Sequence, residues 1–232
     1  MSDTRWERWA SGSGVAFVVL FVAGLLLASD LPKAGDSNDA ILTWFGDRET
    51  ELGWQAGLFG LAAIAFIWFV GTLAAAIRRA ESDPAGRLPA IIVIAGATTV
   101  GIYTVSQAIL VAGSNAAGTI DAATARALYE TATTASVLTN FTAIAFVAAA
   151  SIAVVRTGLL PRWLAYAGGI FVAISLVDAF GRLIGGNEAF GPGGWYGLVA
   201  LIAFLVWTLA ASTLLAQRVG ARAPAPRMAP TG

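Results

Sequence analysis

Cysteine is absent from the 232-residue chain, and so is histidine. The first absence excludes disulfides, thiolate catalysis and sulfur-ligated metal sites. The second removes haem held by histidine, any histidine-containing metal centre and an imidazole general base. Charge is scarce as well: Asp, Glu, Lys and Arg make up 12% of the residues, about half the usual share in soluble domains. The formal net charge is zero, so nothing points to nucleic acid or to an acidic partner. No phosphate-binding loop, no GxGxxG turn and no set of metal ligands occurs, so no cofactor is implied. Thirteen of the fourteen basic residues are Arg, in a chain rich in Ala and Gly. That usage hints at a high-GC bacterial genome.

What the chain has instead is apolar length. Apolar residues make up 57% of it, and the mean hydropathy is +0.74. Uncharged stretches cover residues 9–29, 52–77, 88–120, 131–155, 163–177 and 189–217. About 20 apolar residues cross the hydrocarbon core as a helix, so five of the six are long enough outright. The fifth stretch crosses only if its helix continues through Asp178 towards Gly185. Six spans follow, near 10–29, 54–77, 89–112, 133–155, 162–185 and 195–216. All must be helical, because an open strand would leave backbone groups unpaired in lipid. The predicted fold class is therefore all-α: a polytopic six-transmembrane-helix bundle forming one domain over 1–217. A disordered cytoplasmic tail, Pro/Ala-rich and basic, follows over 218–232.

Arginines set the expected orientation. With the N terminus in the cytoplasm, the inner side holds Arg5, Arg8, Arg78, Arg79, Arg87, Arg156, Arg162, Arg218, Arg222 and Arg227. The outer side holds Lys33, Arg48, Arg126 and Arg182. This positive-inside bias puts both termini of a multi-pass membrane protein in the cytoplasm. Arg5 and Arg8 ahead of Val15–Leu27 also resemble a signal peptide, but LLLASD is a poor cleavage site and retention as an anchor is expected. Two outer loops carry helix signals. Asp36 or Ser37 can cap a short amphipathic helix with Ile41, Leu42 and Phe45 on one face, and Trp44 and Trp54 at headgroup level. Thr119 or Asp121 can cap a second short helix leading into span four. Gly53/Gly57, Ala97/Gly101, Ala145/Ala149/Ala153, Ala165/Gly169 and Gly181/Gly185 have the four-residue spacing that lets helices approach closely in lipid. No inverted repeat emerges, since residues 66–79 and 204–218, the best internal match, run in the same direction.

With histidine and cysteine gone, candidate chemistry rests on polar residues inside the spans. At ~1.5 Å rise per residue, Asp178 lies roughly 24 Å above Arg162, and Arg182 roughly 30 Å. Tyr103 and Gln107 come to ~21 and ~27 Å above Pro89, and Asn140 to ~20 Å above the inner end of its span. Ser175 shares a helix face with Asp178 and Arg182, and Asp30, Glu51 and Gln55 could line the rim. Two readings of SLVDAFGRLIGG stand side by side. Asp178 and Arg182 form an i,i+4 ion pair at a helix end, from which the arginine snorkels. Alternatively Asp178, Arg182, Asn140, Tyr103, Gln107 and Ser175 line a polar pocket open to the outside.

An N-terminal span ending SDLP, an acidic outer loop, GTLAAAIRRAE, DAATARALYE and RTGLLPRWLAYAG follow one another along the chain. In this order, over roughly residues 10–215, the chain resembles a group of uncharacterised actinobacterial six-span membrane proteins, of the domain-of-unknown-function kind. The resemblance implies a helical bundle in the plasma membrane and assigns no activity or functional residue. Three functions fit the residues. The first is a non-enzymatic membrane protein that binds membrane lipids, an envelope protein or a second copy of itself. The second is a small-solute transporter or permeation protein with an outward-facing polar site. The third, a membrane-embedded enzyme with Asp178 as base or Tyr103 as acid, lacks a second deep titratable group and is the weakest.

Overall fold

The computed structural model describes residues 3–27, 30–33, 35–81, 86–184, 189–190 and 194–221. The described elements are all helical: α1 (Asp3–Leu27), α2 (Asn38–Asp47), α3 (Glu49–Ala80), α4 (Arg87–Asn115), α5 (Ala122–Thr157), α6 (Arg162–Leu183) and α7 (Trp195–Ala221). Among them α3, α4, α5, α6 and α7 are long and apolar enough to cross a membrane. The apolar part of α1, Gly12–Leu27, is shorter. Residues 222–232 of the expected tail, and Gly185, lie outside the described residues.

Local chemistry accounts for most boundaries. Ser37 Oγ accepts from the Ala40 amide at 3.1 Å and starts α2. Asp121 Oδ1 accepts from the Thr124 amide at 2.7 Å and starts α5; that bond holds the carboxyl below its ordinary range. The expected second loop helix is not a separate element. Residues from Ala122 onward are the first turns of the 36-residue α5, because no Gly or Pro interrupts the chain before Thr157. At its far end Gly158 takes the left-handed conformation, φ 61°, which stops the helix. Pro161, with extended backbone, then precedes the first residue of α6.

The long helices form a closed ring in the order α1, α3, α4, α5, α6, α7, with α7 returning to α1. At its centre five helices each contribute a phenylalanine. Phe66 of α3 lies 4.8 Å from Phe17 of α1, 5.4 Å from Phe146 of α5 and 5.7 Å from Phe204 of α7, centroid to centroid. Phe171 of α6 joins at 5.6 Å from Phe204. The helix without a phenylalanine, α4, gives Gly96, where a Cβ would stand 2.7 Å from Val70 and 3.4 Å from Phe146. Outside the ring, large apolar side chains such as Leu26, Ile64, Ile94, Val105, Ile170 and Val206 are exposed.

A second apolar cluster caps one end. Ile41 and Phe45 of α2 are fully buried against Leu52, Leu110, Ala125, Tyr129 and Ala132. The cap is strapped down by polar contacts. Tyr129 donates to the Pro32 carbonyl at 2.7 Å, Trp44 donates to the Asp30 carbonyl at 2.8 Å, and Arg48 pairs with Asp30. Arg126 of α5 reaches Asn38, the Asp36 carbonyl and Glu130. We refer to this as the capped end and to the other as the arginine end.

The small-residue spacing singled out the wrong contacts in several places. Gly53, Gly57, Gly101 and Gly169 have nothing within 4 Å of where a Cβ would stand. Of the spaced glycines Gly181 does make a tight approach, to Phe190, and other tight approaches fall outside the series, including Gly113, where Phe45 comes within 2.7 Å, and Gly168, which meets Ser151. Of the alanine series on α5, Ala149 and Ala153 are buried while Ala145 faces outward. Phe45→Ala should loosen the cap by about 3–5 kcal/mol, the usual cost of emptying a buried phenylalanine site. Amide exchange over 38–47 should accelerate while that of α6 and α7 stays unchanged. Uniform acceleration across the chain would mean that the cap and the bundle unfold as one unit.

Candidate functional site

The polar residues of the spans distribute into three settings. The first is a group centred on Asp178 of α6, whose relative exposure is only 2%. Its Oδ1 accepts from Arg182 Nε at 3.0 Å, and its Oδ2 accepts from Asn140 Nδ2 at 2.9 Å. Asn140 belongs to α5, so the carboxylate ties two helices together. The acid-first i,i+4 spacing brings Asp178 and Arg182 onto one helix face, and the pairing of depths brings Asn140 alongside. The third wall is α7. A Cβ on Gly197 would collide with Arg182 Nη2 and stand 3.6 Å from Asp178 Oδ1. Only hydrogen at that position lets the guanidinium lie against the helix backbone.

Ser175, one turn inward on the same face, is fully buried, and its Oγ has no hydrogen-bond partner. Two further buried hydroxyls without partners, Ser151 on α5 and Thr208 on α7, belong to the same three helices. Trp207 donates to the Leu164 carbonyl at 3.0 Å, tying the middle of α7 to the first turn of α6. Each hydroxyl left unpaired away from water costs free energy, so this junction is the part of the bundle whose polar atoms are least satisfied.

Tyr103 is set differently. Its half-buried ring packs on Phe21 of α1 and Phe59 of α3, with centroids 5.4 and 5.3 Å away. Among the described residues no hydrogen bond joins it to the Asp178 group. Gln107 is buried on α4, in the helix whose Ser106 donates to the Ala132 carbonyl of α5 at 2.8 Å. The single pocket read from the sequence therefore separates. Asp178, Arg182 and Asn140 are joined, Ser175 lies beneath them, and Tyr103 and Gln107 sit on the α4 side of the ring. Depth along a helix gives one coordinate only; α5 stands between α4 and α6 around the ring. The proposed rim also divides. Gln55 is buried and donates to the Gly24 carbonyl at 3.1 Å, while Asp30 pairs with Arg48.

Gly197 was not singled out in the sequence, because a glycine in an apolar helix carries no sign of what lies against it. The neighbouring aromatic set was missed as well. Phe190 covers Gly181 and stacks on Tyr196 with centroids 4.4 Å apart, and Tyr196 stacks on Trp195 at 3.8 Å. The clustering in AFGPGGWYG was the available signal, since such rings favour the membrane–water boundary.

The geometry limits the chemistry. Both carboxylate oxygens of Asp178 already accept hydrogen bonds from protein donors, which leaves it poorly placed to take a proton from a substrate. Among the described residues no group of three or more acidic, His or Cys side chains could hold a metal ion. The chain matches neither a protein-family model nor any curated protein or solved structure.

Asp178→Asn should destabilise the protein by about 3 kcal/mol, the low end for removing one partner of a buried ion pair, because Arg182 keeps some access to water. Asp178→Ala combined with Arg182→Ala should cost less than the sum of the two single changes. Thermal melting of the purified variants checks this, and strictly additive losses would show that the pair holds nothing together.

Proposed function

We propose that the chain is a six-span protein of the bacterial plasma membrane, of the actinobacterial group it resembles, with both termini in the cytoplasm. Its role is non-enzymatic: it binds a membrane lipid or a protein partner in the cell envelope. On this reading α1 crosses with the five longer helices, the capped end faces outward, and the arginine end faces the cytoplasm. Arg78, Arg87, Arg156, Arg162 and Arg218 would then meet the inner leaflet, all from exposed positions.

The observation that carries a binding role over transport is the aromatic centre. Phe17, Phe66, Phe146, Phe171 and Phe204 fill the axis of the ring at mid-depth. A solute crossing through the ring would need polar partners along that axis to replace its water. The Asp178 group supports the alternative of an outward-facing solute site, but it lies on the capped side of the rings, and past them the same helices offer isolated hydroxyls such as Ser151 and Thr208 rather than charged or paired partners. The enzyme reading has no pair of convergent free titratable groups in its favour.

The absence of cysteine makes a direct test possible. Single cysteines at Gly118 and Ala80 should react with a membrane-impermeant maleimide from outside and only after permeabilisation, respectively. Ser175→Cys and Phe146→Cys should resist labelling from either side. Reaction at both of these buried positions would replace the sealed, partner-binding reading with a water-filled permeation path.

A further inference from the structure

We propose that residues 30–47 form a lid that opens as one unit about Arg48, and that its opening controls access from the capped end to the groove between α4 and α5. Three observations lead there.

The first is how the polar contacts divide. Within the lid, Trp44 donates to the Asp30 carbonyl, Asp30 pairs with the hinge residue Arg48, and Lys33 and Asp36 exchange hydrogen bonds of 2.8 and 3.1 Å. The Ser37 cap that starts α2 lies inside the same segment. All of these bonds keep their partners when the segment moves as a body. The polar ties from the lid to the bundle come from two side chains of one helix, α5. Arg126 holds Asn38 and the Asp36 carbonyl, and Tyr129 holds the Pro32 carbonyl. Among the described residues no backbone hydrogen bond joins the lid to α4 or α5.

The second observation is the break at Arg48. With φ −117° and ψ 16°, it is the single residue between α2, which ends at Asp47, and α3, which starts at Glu49. Hinges are residues at element ends that absorb a change in φ and ψ, so a rotation there swings α2 without bending α3.

The third is that the seat of the lid is separate from the core. The apolar cluster that receives Ile41 and Phe45 shares no residue with the cluster around the phenylalanine centre. Undocking therefore disrupts the seat alone, as a local opening below the level of global unfolding. Lifting Phe45 off Gly113, where its ring lies 2.7 Å from a Cβ position, leaves a recess of ring size. Ser106 and Gln107, both buried, lie one turn below Leu110 on α4, the helix that forms one wall.

The absence of native cysteine gives a direct readout. Full-length protein in lipid nanodiscs carries one reporter, either Ala125→Cys in the seat or Ala150→Cys in the bundle core, both positions fully buried. Labelling by N-ethylmaleimide, read by mass spectrometry of the peptide that carries the reporter, measures how often each site opens. Ala125→Cys should react measurably and Ala150→Cys should not. Arg126→Gln removes the ties to Asn38 and Asp36. It should speed labelling at 125 about tenfold, as the loss of charge-assisted hydrogen bonds implies, and leave position 150 unchanged. Tyr129→Phe keeps the ring, loses the bond to Pro32 and should act in the same direction. A covalent lock supplies the converse. A Cβ on Gly46 would stand 3.9 Å from that of Ala117, within the usual range for a disulfide. Oxidised Gly46→Cys/Ala117→Cys should therefore suppress labelling at 125. Equal protection of both reporters, unchanged by either strap variant, would show a fixed cap and overturn the lid. Equal reactivity of both would mean global opening, and full labelling behind the disulfide would mean entry by another route; either result overturns the proposal too. Both faces of the protein are open to reagent in a nanodisc, so these outcomes are independent of its orientation in a cell.

Discussion

The structure depends on the meeting of five phenylalanine rings, one from each of α1, α3, α5, α6 and α7. Helices surrounded by hydrocarbon gain nothing from moving apolar surface out of lipid, so packing density has to hold them together. Tilted and edge-on aromatic pairs contribute about 0.5–1.5 kcal/mol each beyond simple contact. A ring of helices would otherwise enclose a void along its axis, and every side chain lining a void loses its partners on that side. The rings fill the space, and Gly96 admits α4, which has no phenylalanine, to the same centre. The order of helices around the bundle follows from this arrangement, since each must present its aromatic or its glycine inward at one level.

Polar groups are fitted around that dry centre by satisfying one another. Thr99 donates to the Ala95 carbonyl and meets Thr142 across the α4–α5 contact, and Ser106 reaches the Ala132 carbonyl. A lone carboxylate near mid-bilayer costs about 2.5–3.5 kcal/mol to insert. Asp178 offsets that cost with a guanidinium and an amide rather than with water, and its position on the side of the capped end reduces the penalty further. Ser151, Ser175 and Thr208 do not reach the same balance. The contrast is informative because all three lie on the helices that hold Asp178, whereas the hydroxyls of Thr99 and Ser106 are paired.

Much of this was legible in the distribution of charge. Uncharged stretches located each long helix, with ends that differ by up to nine residues at the start of α5, because ionised side chains are excluded from apolar spans and helix is the one conformation that satisfies the backbone there. Ser37 and the Ile41/Phe45 face located α2 for equally local reasons. The division between α5 and a loop helix was not legible, since the end of a helix needs a breaker and the segment from Ala122 to Thr157 has none. Contacts between helices were the least legible. Four-residue small-residue spacing finds positions where backbones could approach, and Gly181 is one that does, but Gly53, Gly57 and Gly101 face outward, while Gly14, Gly113 and Gly168, none of them singled out, also make close approaches. For the site, depth correctly aligned Asn140 with Asp178 because their helices are neighbours. It misaligned Tyr103, whose helix lies on the other side of α5.

The capped end is itself covered in two different ways. At the capped end α2 lies over α4 and α5, held by Arg126, Tyr129 and Trp44. Tyr129 stands within electrostatic range of both Asp36 and Arg182, so the cap's edge and the Asp178 group adjoin. Phe45 anchors this cover in the space over Gly113, on the α4 side. The α6–α7 side has a different kind of cover: Phe190 on Gly181, with Tyr196 and Trp195 stacked beyond it. Phe180 and Ile184 are exposed on the face of α6 opposite Asp178 and Arg182, so one face of this helix carries the ion pair between α5 and α7 while the other is apolar at that level.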